Sequence, residues 1–417
     1  MSLEHIVGLR CVRCGVVQPR GAEGTCPACG LAGILDVEYD YALAARTLTR
    51  EALAQRPRTL WRYAEVLPVD ASKAPPHLAV GCTPLYDTPR LARALGVERM
   101  FVKDDGRNPT GSFKDRASAL GVVKAREAGA SVVACASTGN AASSLAGFGA
   151  AVGLPAVIFV PQRAPEAKIA QLLIFGARVL RVAATYDEVW QLCQDACARH
   201  GWYNRNCAVN PYLVEGKKTV GLELGEELGD RMPEWLAMSV GDGCTIAGAW
   251  KGLKEAHRLG WISRLPKLLG VQARGSSPLV EAWKRPGEAE PVEGPSETIA
   301  DSIAVGTPRN WRKALRAVRE SGGAFIAVDD SEILEAMRTT ARQAAVFAEP
   351  AAAAAVAGVS AAVKAFVIGR SEGVVTVVTG NGLKDTKTAL VAAGAPLDIA
   401  ATDAAVDDAV AKLGVLR

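Results

Sequence analysis

The feature that most restricts the fold of this chain is an alternation that begins near residue 75. Short apolar runs are followed by a turn and then by a helical stretch, again and again. Strand character falls at 99–103, 131–136, 155–160, 178–182, 235–240 and 374–379, and helical character at 112–128, 141–152, 167–173, 187–199 and 245–259. The strands read as apolar runs, so both faces are buried. Strands of that kind, with helices between them, build parallel sheets covered by helices, an α/β architecture. Composition agrees. Of 417 residues, 49% are apolar and 6% aromatic, which suits close helix-on-sheet packing and not an aromatic platform for nucleic acid.

Several function classes drop out. A formal charge of +4 on 48 basic and 44 acidic side chains is too small a bias to imply a polyanion partner. No run of about 18 strongly apolar residues exists, and the alanine-rich stretch 351–363 is too short and too weakly apolar to span a membrane. The N-terminus lacks the basic and apolar regions of a secretory signal. The expectation is a cytoplasmic protein with a small-molecule partner. Segment 281–298, rich in proline, glycine and glutamate, is expected to be a surface loop or linker.

Ten cysteines in such a chain are ligands, reactive groups or core residues rather than disulfides. Cys11-Val-Arg-Cys14 and Cys26-Pro-Ala-Cys29 are separated by eleven residues. Two knuckles at this spacing match a zinc ribbon, in which four thiolates complete a tetrahedron. With all four positions filled by protein, such a site is structural and not catalytic. Cys82, Cys135, Cys193 and Cys197 are expected in the core. His5, His77, His200 and His257 are scattered, so no imidazole base is expected.

Chemistry concentrates at four strand-to-helix junctions. In Asn108-Pro-Thr-Gly-Ser-Phe113-Lys114-Asp-Arg116, a lysine opens a helix. The positive end of the helix field, with burial, lowers an ammonium pKa and makes Lys114 a candidate imine-forming nucleophile; the alternative is a solvated lysine. Ser137-Thr138-Gly139-Asn140-Ala141 offers small hydroxyls and backbone N–H groups to a carboxylate, or is ordinary helix capping. Gly241-Asp242-Gly243-Cys244-Thr245-Ile246 has the form of a phosphate cradle. It is neither the dinucleotide fingerprint nor a P-loop. The fourth junction is Thr379-Gly-Asn-Gly-Leu-Lys-Asp385.

In combination and order, these segments resemble the threonine synthase family, among the fold-type II enzymes that use pyridoxal 5′-phosphate (PLP). Asn210-Pro-Tyr, Glu215-Gly-Lys-Lys-Thr219 and Phe347-Ala-Glu349-Pro350 extend the likeness. The resemblance implies a two-domain fold like the β subunit of tryptophan synthase. Residues 1–35 would form the ribbon, 36–129 with 216–395 a large cofactor domain, 130–215 a small domain, and 396–417 a tail. It also implies a homodimer. Lys114 would hold PLP as a Schiff base and shuttle protons, with Phe113 beside the ring and Asn140 on its 3′-oxygen. Gly241, Asp242, Gly243, Cys244 and Thr245 would surround the cofactor phosphate, and Thr379 would face the pyridine nitrogen. Ser137, Thr138 and Gly139 would take the substrate carboxylate, near Ala141, Lys217 and Asp242. A hydroxyl at the pyridine nitrogen leaves a weaker electron sink, which suits elimination and replacement.

The likeness fails where the family holds a substrate phosphate. Ala141 replaces threonine, Leu213 replaces arginine, and Asp242 stands in a loop that usually carries asparagine. A lost guanidinium removes bidentate hydrogen bonds, and an added carboxylate repels a dianion. Lys217, where the family usually has glutamine, or Arg274 restores a cation. Two enzyme readings follow: a threonine-synthase-like lyase or synthase acting on a non-phosphorylated amino acid, slightly favoured, and threonine synthase itself acting on O-phosphohomoserine. A reading from a different class is an inactive binding or regulatory protein.

Overall fold

The computed structural model describes residues 3–70, 76–162, 166–184 and 186–413. It contains three sheets. The first is antiparallel and belongs to the ribbon: β1 (Ile6–Cys11) pairs with β2 (Val17–Gln18) and with β3 (Leu35–Tyr39). The large sheet draws on β4 (Leu85–Asp87) and β5 (Arg99–Asp104) early in the chain. The four-stranded sheet follows, from β6 (Val133–Ala136), β7 (Ala156–Pro161), β8 (Arg178–Val182) and β9 (Tyr203–Asn204). The chain then returns to the large sheet with β10 (Trp235–Ser239), β11 (Lys267–Ala273), β12 (Ala324–Val328) and β13 (Gly373–Val378). The large sheet has the order β12-β11-β10-β13-β5-β4, and only the edge strand β4 is antiparallel. The smaller one has the order β8-β7-β6-β9 and is parallel throughout.

Both faces of the large sheet are apolar, as the unbroken strand pattern requires. Leu236 and Met238 point into one core with Ile246, Trp250 and Leu315. Trp235 and Ala237 point into the other with Ile333, Met337 and Val356. The alanine-rich stretch forms the helix Pro350–Lys364, most of it buried. Small residues let it lie against the sheet, and a Cβ on Gly358 would collide with Val271. No helix among the described residues is long and apolar enough to cross a membrane.

The helix Lys114–Glu127 joins the two halves. Its Ala119, Leu120 and Val123 enter the core of the four-stranded sheet with Val133, Leu145 and Ile158. Cys193 and Cys197 pack on the other face of that sheet with Trp190 and Phe159, and Cys135 is also buried. The segment expected as loop from 281 to 298 is helical in its first residues, because the helix Pro278–Trp283 extends into it. The remainder is irregular, and Glu293, Gly294 and Ser296 line the cleft described below.

Candidate active site

The cleft of about 510 Å³ lies where the four-stranded sheet meets the large one. Its wall includes Lys114, Ser137 to Ala141, Lys217, Asp242 and Cys244, all anticipated from sequence. Phe113, Gly241, Gly243, Thr245 and Thr379 are not among the residues lining its open volume; the first four are chain neighbours of residues that are, and Thr379 lies one step further back, behind Phe113. Leu213 lies elsewhere. It is fully buried, beside Gly121 of the Lys114 helix. Arg274 is also remote, paired at the surface with Asp329 at 2.6 Å.

The start of the Lys114 helix is stitched in place by backbone. Phe113 N donates to Thr379 O at 2.9 Å, and Asn381 N donates to Gly111 O at 3.0 Å. Two residues into the helix, the buried Arg116 guanidinium bonds Asp105 at 2.6 and 2.8 Å and Glu223 at 2.5 and 2.9 Å. Lys103 reaches Glu223 at 3.0 Å and Glu227 at 2.7 Å. This ionic knot anchors the helix that presents Lys114. Burial, then the nearby Lys217 charge, pulls the Lys114 ammonium below the usual lysine range, against an opposing pull from Cys244 and Cys207. The helix start and burial anticipated a lowered pKa; Lys217 was expected near the substrate, but its effect on Lys114 was not legible.

Lys217 sits on the short helix Tyr212–Lys217. Its Nζ donates to Cys207 Sγ at 2.9 Å and to Cys244 Sγ at 2.6 Å. Burial disfavours that ammonium, yet the two sulfurs more than offset the cost and hold it charged. Arg205 completes this wall. It lines the cleft, and its guanidinium reaches Lys114 O at 3.4 Å and Ser118 Oγ at 3.2 Å. Arg205 and Cys207 follow β9 in a stretch with no recognisable motif. Only the fold brings them beside Lys114.

The glycine turn has the geometry of an anion cradle. Gly243 has φ +96°, the left-handed region that favours glycine, and a Cβ there would lie 3.0 Å from the Asn310 carbonyl oxygen. It opens the fifteen-residue helix Cys244–Arg258, whose start has no side-chain cap. Its first N–H groups therefore suit a phosphate. Asp242 is held by the facing loop. Its Oδ1 accepts from Arg309 N at 2.7 Å and its Oδ2 from Asn310 Nδ2 at 2.5 Å, while burial raises its pKa. Asn140 donates to Glu349 Oε1 at 2.7 Å. Burial also raises Glu349 above the usual carboxylate range. A lysine of lowered pKa and an uncapped helix start on the same cleft fit a cofactor that carries an aldehyde and a phosphate.

The Cys11, Cys14, Cys26 and Cys29 sulfurs all lie within 4.8 Å of one another. Cys14 and Cys26 are 3.8 Å apart, close to the edge of a tetrahedron with bonds of about 2.3 Å. Gly33 closes the cluster from behind, where a Cβ would lie 2.7 Å from that of Cys26. The four thiols can hold a metal ion.

Residues 77–380 match the family model described as pyridoxal-phosphate dependent enzyme, and the chain belongs to that class of enzymes, as a lyase by family. Solved structures share the fold. Processed threonine deaminase isoform 2 from Solanum lycopersicum covers 75% of this chain and 88% of its own at a TM-score of 0.63 and 24% identity. Diaminopropionate ammonia lyase from Escherichia coli covers 92% and 96% at 0.63 and 17%. Within the class the chain belongs to the threonine synthase family. It is 41% identical to threonine synthase of Methanosarcina acetivorans over 92% of this chain and 93% of the relative. For that of Methanocaldococcus jannaschii the values are 38%, 94% and 96%.

Proposed function

We propose that this enzyme converts O-phosphohomoserine and water to threonine and phosphate, by elimination of the γ-phosphate and addition of water at Cβ. The observation that carries this reading is the cationic wall formed by Lys217 and Arg205 beside Lys114. It supports an anionic leaving group without the arginine that Leu213 replaces. The facing loop's donors occupy both Asp242 oxygens, and burial raises that carboxyl's pKa against them; donors and burial each temper the repulsion expected there.

PLP, when bound, supplies an electron sink for negative charge at the substrate Cα. In this reading Lys114 holds its aldehyde end, the N–H groups of Cys244 and Thr245 its phosphate, and Thr379 the pyridine nitrogen. Asn140 turns one amide hydrogen to the ring oxygen while keeping the other on Glu349. Ser137, Thr138 and Gly139 bind the substrate carboxylate. Lys114 Nζ, tuned below the usual lysine range, takes and returns protons inside the cleft. Closure of the 130–215 unit over the cleft would exclude water at the wrong moment. We also propose zinc at the four ribbon cysteines, and a cytoplasmic homodimer, which sedimentation would test.

The experiment has two arms. The purified enzyme should absorb in the visible and retain cofactor covalently after borohydride, and Lys114→Ala should lose both. Phosphate release with threonine formation from O-phosphohomoserine supports the substrate assignment. The second reading, a substrate without phosphate, is favoured by Ala141 and by the carboxylate of Asp242. Turnover of hydroxy- or diamino-acids with no phosphate release would select it.

A further inference from the structure

Lys217 gathers two cysteines from distant parts of the chain. Cys207 comes from the loop after β9, and Cys244 is the first residue of the cradle helix. Their sulfurs sit 2.9 and 2.6 Å from the same ammonium. Each thiol is also the largest influence on the other's pKa. We propose that Cys207 and Cys244 form a reversible thiol-modification site inside the cleft, where a low-molecular-weight disulfide oxidises the pair to an intramolecular disulfide.

The roles divide by exposure and charge. Cys207 is partly exposed on the cleft and Cys244 is buried. The neighbouring Cys244 thiol holds Cys207 well below the usual thiol range, with Lys217 and Arg205 adding to the effect against burial. Cys244 is pushed up by the same neighbour and by burial. A thiolate held beside a cation is the reactive form of cysteine. The Cys207 thiolate attacks one sulfur of the external disulfide RSSR, forming a mixed disulfide and releasing RS⁻. Cys244, giving up its proton, then attacks the Cys207 sulfur and releases the second thiolate. Each RS⁻ gains one of the two protons, from the thiols or from solvent. Two protein thiols are oxidised and one external disulfide is reduced to two RSH. The two sulfurs, both within hydrogen-bond reach of one ammonium, must close to about 2.05 Å, a movement that rotation of the two side chains supplies. The product ties the 205–210 loop to the helix start, and it takes from Lys217 its nearest negative charge.

The test uses the full-length enzyme with its cofactor and metal retained. It is exposed to oxidised glutathione, blocked, digested and analysed by mass. The expected result is a Cys207–Cys244 cross-linked peptide, two hydrogens lighter than the separate peptides, that dithiothreitol reverses. Cys244→Ser should instead accumulate a glutathione adduct on Cys207. A Cys207 that stays free, or that keeps glutathione in the unsubstituted enzyme while Cys244 stays free, overturns the proposal. A second measurement guards against misfolding. Lys217→Met should slow iodoacetamide alkylation of Cys207 at pH 7 at least about tenfold, the loss of thiolate that one pKa unit represents. An unfolded variant would expose the thiol and react faster, so an unchanged or increased rate counts against the site.

Discussion

Arg116 shows what a single side chain does for this site. Fully buried, it is balanced by Asp105 and Glu223, and Lys103 shares the second carboxylate. Glu223 is held down at about 2, burial opposing and the Arg116 and Lys103 charges prevailing. A carboxylate with a depressed folded pKa contributes stability above its unfolded value, near 4.5, and loses it as pH falls through the folded value. The shift is equivalent to about 3 kcal/mol. Glu223→Gln should therefore lower stability at pH 7 by about that amount, measured by urea unfolding. It should also flatten the loss of stability between pH 4.5 and 2. A variant with an unchanged acid profile would deny the network this role. Sequence exposed Lys114 because the residues around it form one continuous segment. It hid Glu223, Arg205 and Cys207, which reach the same place from other elements.

At the scale of elements, glycine sets how closely the helices around the cleft approach. A Cβ at Gly216 would collide with the Arg116 carbonyl, one at Gly252 with the Lys218 carbonyl, and one at Gly221 with the Ala249 carbonyl. The helices bearing Lys114, Lys217 and Cys244 thus pack backbone to backbone. Gly243 is restricted twice over, by its left-handed φ and by Ala314 Cβ and the Asn310 carbonyl, which a Cβ would meet at 2.9 and 3.0 Å. Gly243→Ala should cost of order 1–3 kcal/mol in local strain and weaken PLP binding, read by titrating the apoenzyme with cofactor. Undiminished affinity would mean that this turn does not hold the phosphate. The helix–strand alternation was largely readable, because fully buried strands leave continuous apolar runs. The strands β4, β9, β11 and β12 were not; in β11, Gly270 and Gln272 interrupt the pattern. Both have tertiary purposes: Gly270 makes room for the Phe325 ring, and the buried Gln272 accepts from Leu279 N at 2.8 Å and Val280 N at 3.1 Å.

Across the whole molecule, the ribbon is bound to the site by polar contacts. Tyr39 donates to Glu215 at 2.7 Å, two residues before Lys217. Lys251, on the cradle helix, reaches Val37 O at 2.6 Å and Glu215 at 2.5 Å. Arg316 reaches Val12 O at 2.7 Å, and Lys313 pairs with Asp36. A metal at the four cysteines would therefore brace the helices that carry Lys217 and Cys244. Chelation should release one metal ion per chain, lower the thermal midpoint and open residues 3–39 to protease. Metal-free protein with an unaltered midpoint and cleavage pattern would separate the ribbon from the rest of the fold.

The sequence by itself determined the parallel α/β class, the paired cysteine knuckles and the lysine and glycine turns at the helix starts. Each is written in residues close together in the chain, where periodicity and spacing act. Only the tertiary structure decided that Leu213 packs against Gly121, that the facing loop holds Asp242, and that Lys217 and Arg205 form the cationic wall. Those outcomes depend on which distant elements share a wall, and burial and charge pairing across that wall leave no pattern in a local stretch of residues.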